Sequence, residues 1–316
     1  MNSDNRVLLV DLLYKNSGSF DADISCILTA NQNRKLEYFK KDSSNIHAIY
    51  LLLKKLIYFK YEKVIFLSAN FKHLFIFLPF TLFKKFSLIY HFLPVKNKRF
   101  HLFLLSFFEN FYSFGVYTSG VSRLIASQFG KDIAVLPSRY VNYSFVKNRL
   151  INKINSKSYS VFIPGIRPGV RNDICINSLV KILKKNLTGK IDKIYVQKSG
   201  FIPTRYSKNI IPVAHNIDSV LYNSFYEKSL IVVVNFHKDY DLRASGIIID
   251  AISNGCIVLT TNHLINYEYG FPNTLVCDQK NLSKLITKIK TTSALFDLIP
   301  VSNYVNFKKK WNEFLE

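Results

Sequence analysis

The sequence has few acidic residues, few cysteines and no long hydrophobic run. Its 21 aspartate and glutamate residues stand against 43 lysine and arginine residues, which gives a formal net charge of +22. The longest apolar run, near residues 73–83, ends at two lysines, whereas a membrane-spanning helix needs about 20 apolar residues. We therefore predict no membrane span. The sequence also lacks low-complexity stretches and internal repeats of fixed period, which excludes repeat architectures.

The cysteines are too dispersed for a metal site. Cys26, Cys175, Cys256 and Cys277 lie far apart in apolar segments, without a C-x-x-C pair or a cysteine–histidine cluster. We expect free buried thiols in a reducing compartment. The first residues, MNSDNRVLLVDLLY, include an acid and lack a small-residue cleavage site. We therefore expect a first strand, not a signal peptide, and a cytoplasmic protein.

The positive charge predicts a polyanionic neighbour, which could be nucleic acid, an anionic membrane face or a phosphorylated substrate. An AT-rich genome would also raise the content of lysine, asparagine, isoleucine, phenylalanine and tyrosine. No helix-turn-helix, zinc-finger or aromatic RNA-binding signature is present, so we expect no nucleic acid. Residues 71–108 mix phenylalanine, leucine and lysine. They fit either core helices with solvated ends or a basic aromatic surface resting on an anionic inner membrane leaflet.

Short apolar runs alternate with helical patterns along the whole chain. The predicted strands are Arg6–Asp11, Lys63–Ser68, Phe86–His91, Gly115–Ser119, Ile133–Pro137, Ser160–Pro164, Lys193–Gln197, Ile210–Val213, Leu230–Asn235, Cys256–Thr261 and Thr274–Cys277. The predicted helices are Ile46–Phe59, Lys72–Phe83, His101–Phe111, Gly120–Phe129, Ile174–Leu187, Val220–Glu227, Gly246–Asn254 and Leu282–Ile289. A polar stretch between the halves, Arg149–Ser160, is interpreted as a linker.

This alternation predicts an α/β protein with two doubly wound domains, residues 1–150 and 151–316. Continuously apolar strands such as LIVVVN are typical of parallel sheets buried on both faces. Ligands bind such sheets at the carboxyl ends of the strands. We expect two such edges to face each other across a cleft, with the last helix free to pack back on the first domain.

Two motifs in the second half predict a phosphate site. VFIPGIRPGVRND (Val161–Asp173) places Gly165, Arg167 and Arg171 between a strand and a helix, where arginines can bind phosphate oxygens. HKDYDLRASG (His237–Gly246) follows the strand LIVVVN and contains Tyr240 and Arg243. A solvated turn and an ordinary capped helix are the alternative interpretations.

The second motif ends at the start of a helix. Ser245 fits an N-cap and Gly246 allows close approach of a ligand to the helix amides. Asp250, one turn further on, could accept a hydrogen bond from a ribose hydroxyl or complement the helix dipole. Together the two motifs predict that arginines and amides hold a diphosphate.

At these motifs the chain resembles the GT-B glycosyltransferases of the retaining group 1 kind, which build bacterial surface polysaccharides. GIRPGVR stands where that family has a Gly-x-Arg loop, and SGIIIDAISNGCIVLTT stands where it has its glutamate signature. Here Arg243 lies near the position of the first glutamate, and Asp250 near that of the second. The resemblance implies Gly165, Arg167, Arg171, Tyr240, Arg243, Ser245, Gly246 and Asp250 as donor-binding residues. It also implies a metal-independent enzyme without a cofactor.

The loops of the first half are expected to bind the acceptor. In KNSGSFDAD (Lys15–Asp23), Asp21 and Asp23 are candidate bases, with a solvated turn as the alternative. His91 lies at a predicted strand end, where it can contact the sugar, act as a base or simply pack.

The sequence therefore predicts a glycosyltransferase that moves a sugar from a nucleotide-sugar to a growing glycan, linked to a lipid such as polyprenyl diphosphate. Its surface-glycan product would be an O-antigen, a capsule or a similar polymer. The alternatives are a non-catalytic, membrane-associated scaffold with the same fold and a nucleic-acid-binding protein.

Overall fold

The computed structural model describes residues 6–13, 18–32, 34–41, 44–90, 98–130, 133–166, 179, 183, 190–198, 209–214, 217–235, 245–260, 276–277, 284, 301–302 and 304–316. The chain divides into two compact units. The first comprises residues 1–140, 242–244 and 304–316, and the second comprises residues 141–241 and 245–303. Each unit is described by itself.

Helices and strands alternate as expected for α/β units. The helices are α1 (Gly18–Ala30), α2 (Asn45–Tyr58), α3 (Phe71–Phe77), α4 (Lys98–Phe108), α5 (Ser119–Phe129), α6 (Tyr143–Ile154), α7 (Ser219–Lys228), α8 (Gly246–Ser253) and α9 (Tyr304–Leu315). A 3-10 helix, Leu78–Leu82, follows α3. The strands are β1 (Arg6–Asp11), β2 (Lys35–Lys40), β3 (Lys63–Ser68), β4 (Lys85–Tyr90), β5 (Ser113–Val116), β6 (Ala134–Val135), β7 (Arg139–Tyr140), β8 (Ser158–Ile166), β9 (Lys190–Lys198), β10 (Ile210–Val213), β11 (Ile231–Val234), β12 (Ile257–Thr260), β13 (Val276–Cys277) and β14 (Val301–Ser302).

The first unit contains a parallel sheet in the order β2-β1-β3-β4-β5-β6. Its central strands β1 and β3 are buried on both faces, so successive side chains enter two separate cores. Leu8 and Phe66 point into the core covered by α2 to α5, whereas Leu9 and Ile65 point into the core covered by α1 and α9. Trp311 of α9 is fully buried there, and its indole Nε1 donates a hydrogen bond of 2.9 Å to the Pro137 carbonyl oxygen.

The second unit contains a parallel sheet in the order β10-β9-β8-β11-β12-β13. This is the strand order of a Rossmann sheet, in which the chain reverses its direction of winding between the first and fourth strands. Those strands are β8 and β11, which are neighbours with Val161 opposite Ile231. The core includes Phe162 from β8, Tyr226 from α7 and Ile248 from α8, all fully buried.

The structure corrects the interpretation of Arg149–Ser160 as a linker. Arg149 to Ile154 form the end of α6, and the strand β8 begins at Ser158. The buried residues Val146, Leu150 and Ile154 recur at every fourth position and pack into the second core. The asparagines and lysines between them lie on the other sides of the helix and hide this apolar periodicity.

The sequence analysis also missed the two-residue strands β7 and β14 and two longer elements. The first is the edge strand β2, whose charged residues interrupt its apolar alternation. The second is α1, which begins at Gly18 within the segment considered as a solvated turn. The predicted helices Ile174–Leu187 and Leu282–Ile289 fall almost entirely outside the described residues, although Leu179 and Leu183 are buried helical positions.

Candidate functional site

The best candidate site in the second unit is the carboxyl edge of its sheet, between β8 and β11. In doubly wound sheets, ligands bind where the winding reverses, because the loops that leave the two central strands diverge there. Two of the predicted donor-binding segments are the loops that leave these two strands. The structure places Gly165 near the carboxyl end of β8 and Ser245 at the end of the loop that leaves the neighbouring strand β11.

Gly165 has a backbone conformation that favours glycine. Its φ angle is +39°, in the left-handed region, where a Cβ atom would clash with the following carbonyl oxygen. The buried Gly165 amide donates a hydrogen bond of 2.9 Å to Oε1 of Gln197 on the neighbouring strand β9. Gln197 Nε2 in turn donates to the Ala214 carbonyl oxygen at 3.1 Å, just after β10. One buried glutamine therefore joins the ends of three adjacent strands and fixes the peptide that opens the Arg167 loop.

The loop after β11 ends at the N-terminus of α8. Ser245 is buried at the N-cap position in an extended conformation (φ −116°, ψ 110°), and its carbonyl oxygen accepts the Ile249 amide at 3.2 Å. Its side chain does not make the expected capping hydrogen bond to the helix. The amides of Gly246, Ile247 and Ile248 precede this first helical bond and have no carbonyl partner within the helix. Together with the helix dipole, such amides form an anion-binding end.

Asp250 lies in the second turn of α8 and is half-buried. Its negative charge contributes to the raised pKa of the buried Tyr226 hydroxyl, after the larger effect of burial. Asp250 is thus close to α7, and its contact with a ribose or a sugar stays a prediction. Four further predicted donor-binding residues, Arg167, Arg171, Tyr240 and Arg243, lie outside the described residues and also stay predictions.

In the first unit, the winding reverses between β1 and β3. The fully buried Asp11, the last residue of β1, accepts hydrogen bonds from the Ser68 hydroxyl, from the Leu13 amide at 3.1 Å and from the Tyr38 hydroxyl at 3.4 Å. Ser68, the last residue of β3, also accepts from the Leu12 amide at 3.2 Å. This network fixes the direction in which the chain leaves β1 towards the loop that contains Lys15.

Two imidazole groups follow neighbouring strands of this sheet. His73 in α3 caps its own helix with Asn70: the His73 amide donates to Asn70 Oδ1 at 3.1 Å, and the Asn70 amide to His73 Nδ1 at 3.4 Å. Burial, followed by the charge of Lys41, lowers the pKa of His73. The hydroxyl of Tyr90, the last residue of β4, lies 2.8 Å from Nδ1 of His101 on α4, where burial lowers the imidazole pKa. Both histidines therefore favour the neutral form.

The candidate acceptor residues have different outcomes. Asp21 lies in α1, but its side chain is outside the described part of the structure, and so is His91. Their proposed roles stay predictions. Asp23 is buried and forms an ion pair with the buried Arg139. The expectation that Asp23 acts as a base is therefore corrected. Its carboxylate is paired with the Arg139 guanidinium, and burial shields it from solvent.

Sequence reasoning missed Gln197, Asp11, Ser68 and His73. Three of them carry a visible signal: a single polar residue at or near the end of an otherwise apolar strand, as in VLLVD, VIFLS and IYVQK. The His73 cap needs only the spacing N-x-x-H at a helix start.

Within the described ranges, no three histidine, cysteine, aspartate or glutamate side chains come together as a metal site. None of the described helices is long and apolar enough to cross a membrane.

Comparison with solved structures defines the fold class. The chain has the GT-B fold, which consists of two Rossmann-like units. The similar structures include Anabaena Alr3699/HepE in complex with UDP-glucose (TM-score 0.59, 10% identity, 98% of this chain and 99% of that one). They also include the trehalose-6-phosphate synthase OtsA (0.59, 10%, 98% and 98%) and a glycosyltransferase from Rickettsia africae ESF-5 (0.56, 12%, 98% and 93%). No protein-family model matches the sequence, and no curated protein sequence is significantly similar to it.

Proposed function

We propose that this protein is a glycosyltransferase that moves a sugar from a nucleotide-sugar donor to a growing glycan carried by a lipid. The observation that carries the proposal is the reversal point of the second sheet, where the fixed Gly165 peptide lies near the end of β8 and the N-terminus of α8 follows the adjacent strand β11. A nucleotide diphosphate fits such a place, because backbone amides can approach it closely. The similar HepE structure contains UDP-glucose, which supports a donor of this class.

The proposed chemistry follows from the charge that develops as the glycosidic bond to the donor breaks. The departing nucleoside diphosphate gains negative charge, and fixed amides and guanidinium groups stabilise this charge without a metal ion. In this proposal the amides after Ser245 and the side chains of Arg167, Arg171 and Arg243 hold the diphosphate. Tyr240 and Asp250 complete the donor site, next to the sugar and ribose.

The acceptor is proposed to bind at the carboxyl edge of the first sheet. Asp21 and His91 remain the candidate bases, since they occur in or next to the loops that leave β1 and β4. Asp11 and Ser68 are proposed to position the first of these loops, because their hydrogen bonds define its starting direction.

Nucleotide binding tests this proposal without knowledge of the acceptor. We expect UDP, or another nucleoside diphosphate, to raise the melting temperature, since a ligand at a hundredfold its Kd adds about 2.7 kcal/mol of stability. Arg243→Ala should lose most of this shift. The matched control is Arg149→Ala, because the guanidinium of Arg149 instead contacts Asn254 at 2.8 Å and Glu227 at 3.2 Å.

Two results would contradict the donor site: no nucleoside diphosphate stabilises the wild-type protein, or Arg243→Ala responds like Arg149→Ala. Turnover is measured separately, as release of nucleoside diphosphate from nucleotide-sugars in the presence of lipid-linked glycans. Nucleotide binding without any turnover across donors and acceptors would instead favour a non-catalytic scaffold.

A further inference from the structure

Helix α4 is apolar on two opposite sides. Leu105 and Phe108 are fully buried in the core beneath it. Phe100, Phe103 and Phe107, which are spaced as on one face of a helix, are exposed, and Phe103 is 67% exposed. A helix of a water-exposed layer normally has a polar outer side, so this pattern indicates that something apolar covers α4.

The exposed rings of α4 continue onto the neighbouring elements. Phe107 lies 5.7 Å from Phe75 of α3 and 5.6 Å from Phe111, measured between ring centroids. Phe111 in turn lines the same groove as Leu82 and Phe83, which are 77% and 84% exposed. We call this surface the aromatic face, defined as Phe75, Leu82, Phe83, Phe100, Phe103, Phe107 and Phe111. Leu82, Phe83 and Phe111 lie at the amino edge of the sheet, because the first residues of β3, β4 and β5 line the same groove.

The segment that carries the aromatic face is strongly basic. Residues 45–111 contain ten lysine and arginine residues but only two acidic residues, Glu62 and Glu109, although these two and Glu313 line the groove beside Leu82 and Phe83. Lys72 of α3 and Arg99 of α4 are exposed beside the aromatic rings in their own helices. On α2, which packs on the same side of the sheet, Lys54 Nζ lies 5.9 Å from the exposed Tyr58 ring. The surface therefore combines large aromatic side chains with a basic margin.

We propose that the aromatic face docks the first unit onto an anionic lipid bilayer. Aromatic rings insert favourably at the depth of the headgroups, and lysine and arginine side chains attract anionic phosphates. A second copy of this chain fits less well, because two basic margins would repel each other. The binding itself is independent of the donor site, and only its use, access to a lipid-linked acceptor, rests on the proposed function.

Vesicle flotation of the full chain tests the proposal. We expect binding to vesicles of phosphatidylcholine mixed with phosphatidylglycerol, and weaker binding to phosphatidylcholine alone. The double variant Phe83→Ser with Phe103→Ser should lower the affinity for anionic vesicles at least tenfold. The matched control is Tyr304→Ser with Val305→Ser, two exposed apolar residues of α9 on the opposite side of the same sheet, which should bind like the wild type.

A charge variant and a fluorescent variant make the test independent of any loss of folding. Lys72→Glu with Arg99→Glu should weaken binding by about fivefold or more per residue, whereas the exposed control Lys157→Glu should not. Phe103→Trp should shift its emission to the blue when anionic vesicles are added, whereas Val305→Trp should not. Both tryptophan variants also contain the buried Trp311, which contributes the same background emission to each.

The proposal is overturned if the wild type does not bind anionic vesicles, or if the aromatic and control variants bind alike. It is also overturned if Phe83→Ser with Phe103→Ser converts a dimer to a monomer, since the face would then cover a second copy. Failure of the proposed function is seen separately, because the aromatic variant should keep the thermal shift given by UDP.

Discussion

The two units use the same kind of sheet but end their central strands differently. In the first, the strands at the reversal of winding end in Asp11 and Ser68, whose side chains bond to each other and to the chain that leaves β1. In the second, Gly165 and the start of α8 occupy the corresponding place, and a neighbouring side chain, Gln197, holds the Gly165 amide. The acceptors at the first edge thus hold the departing chain, whereas the second edge has amides at the N-terminus of α8 that the helix itself does not use. Because both sheets are parallel, this difference comes from the residues at the strand ends.

Replacement of Gly255 is expected to cause the largest loss of stability, because this glycine packs closely against α6 in the second unit. Its φ angle is +66°, and a Cβ atom would lie 2.9 Å from the Leu150 backbone nitrogen in α6. We expect Gly255→Ala to cost about 2–5 kcal/mol, from the left-handed backbone and from overlap with a backbone that cannot move aside. Gly130→Ala in the first unit is the control, since it has the same φ angle but no neighbouring atom within 4 Å. Equal losses in the free energy of unfolding, measured with urea, would contradict the role of close packing.

The ion pair between Asp23 and Arg139 is the next test, and it concerns the first unit alone. Both residues are buried, so Asp23→Ala leaves a guanidinium without its counter-charge and should cost about 2–4 kcal/mol. Glu316→Ala breaks the more exposed pair with Arg34, 3.0 Å long, and should cost about 0–1 kcal/mol. If both variants unfold at the same urea concentration, Asp23 is not a structural residue and returns as a candidate base.

Gln197 and Asp11 allow the two strand-end networks to be compared directly. Gln197→Leu removes the partners of the Gly165 amide and the Ala214 carbonyl, which should cost about 1–3 kcal/mol of stability. It should also weaken UDP binding about tenfold, equivalent to about 1.4 kcal/mol, because the loop that contains Arg167 loses its fixed start. Asp11→Asn should reduce stability but leave UDP binding unchanged. Equal losses of UDP affinity, measured by calorimetry, would show that the donor site is not particular to the second unit.

Much of the fold could be predicted because its strands are buried on both faces. Arg6–Asp11 and Lys63–Ser68 have the bounds that their apolar runs predict. The edge strand β2 could not be found in this way, because one side of an edge strand is partly solvated and its charges are tolerated there. The same mixture of charge and apolar spacing concealed the end of α6.

The sequence alone could predict the glycine and the N-cap position at the start of α8, but not the long-range contacts of the candidate site. Ser245 and Gly246 follow from helix-start rules that operate over a few residues. The hydrogen bond between Gly165 and Gln197 joins positions 32 apart in the sequence and exists only because β9 lies beside β8. The sequence permits two interpretations of the aromatic face, because its apolar spacing fits a buried helix as well as an exposed one. The exposed fractions of the side chains show that these residues lie at the surface, and their contact with a membrane stays a proposal.

The smallest expected effect is the pH dependence conferred by His73 at the edge of the first sheet. Burial holds the pKa of its imidazole below the ordinary value of about 6.5, so the unfolded chain binds more protons over the range between them. The contribution of this neutral imidazole is therefore fully present above about pH 6.5 and is lost as the pH falls through the lowered pKa. His73→Gln keeps a side chain able to cap Asn70 but cannot titrate, so its stability should fall less steeply on acidification. Lys41→Gln, which removes the nearby charge, should reduce the slope in part, and an unchanged slope in His73→Gln would show that another group titrates.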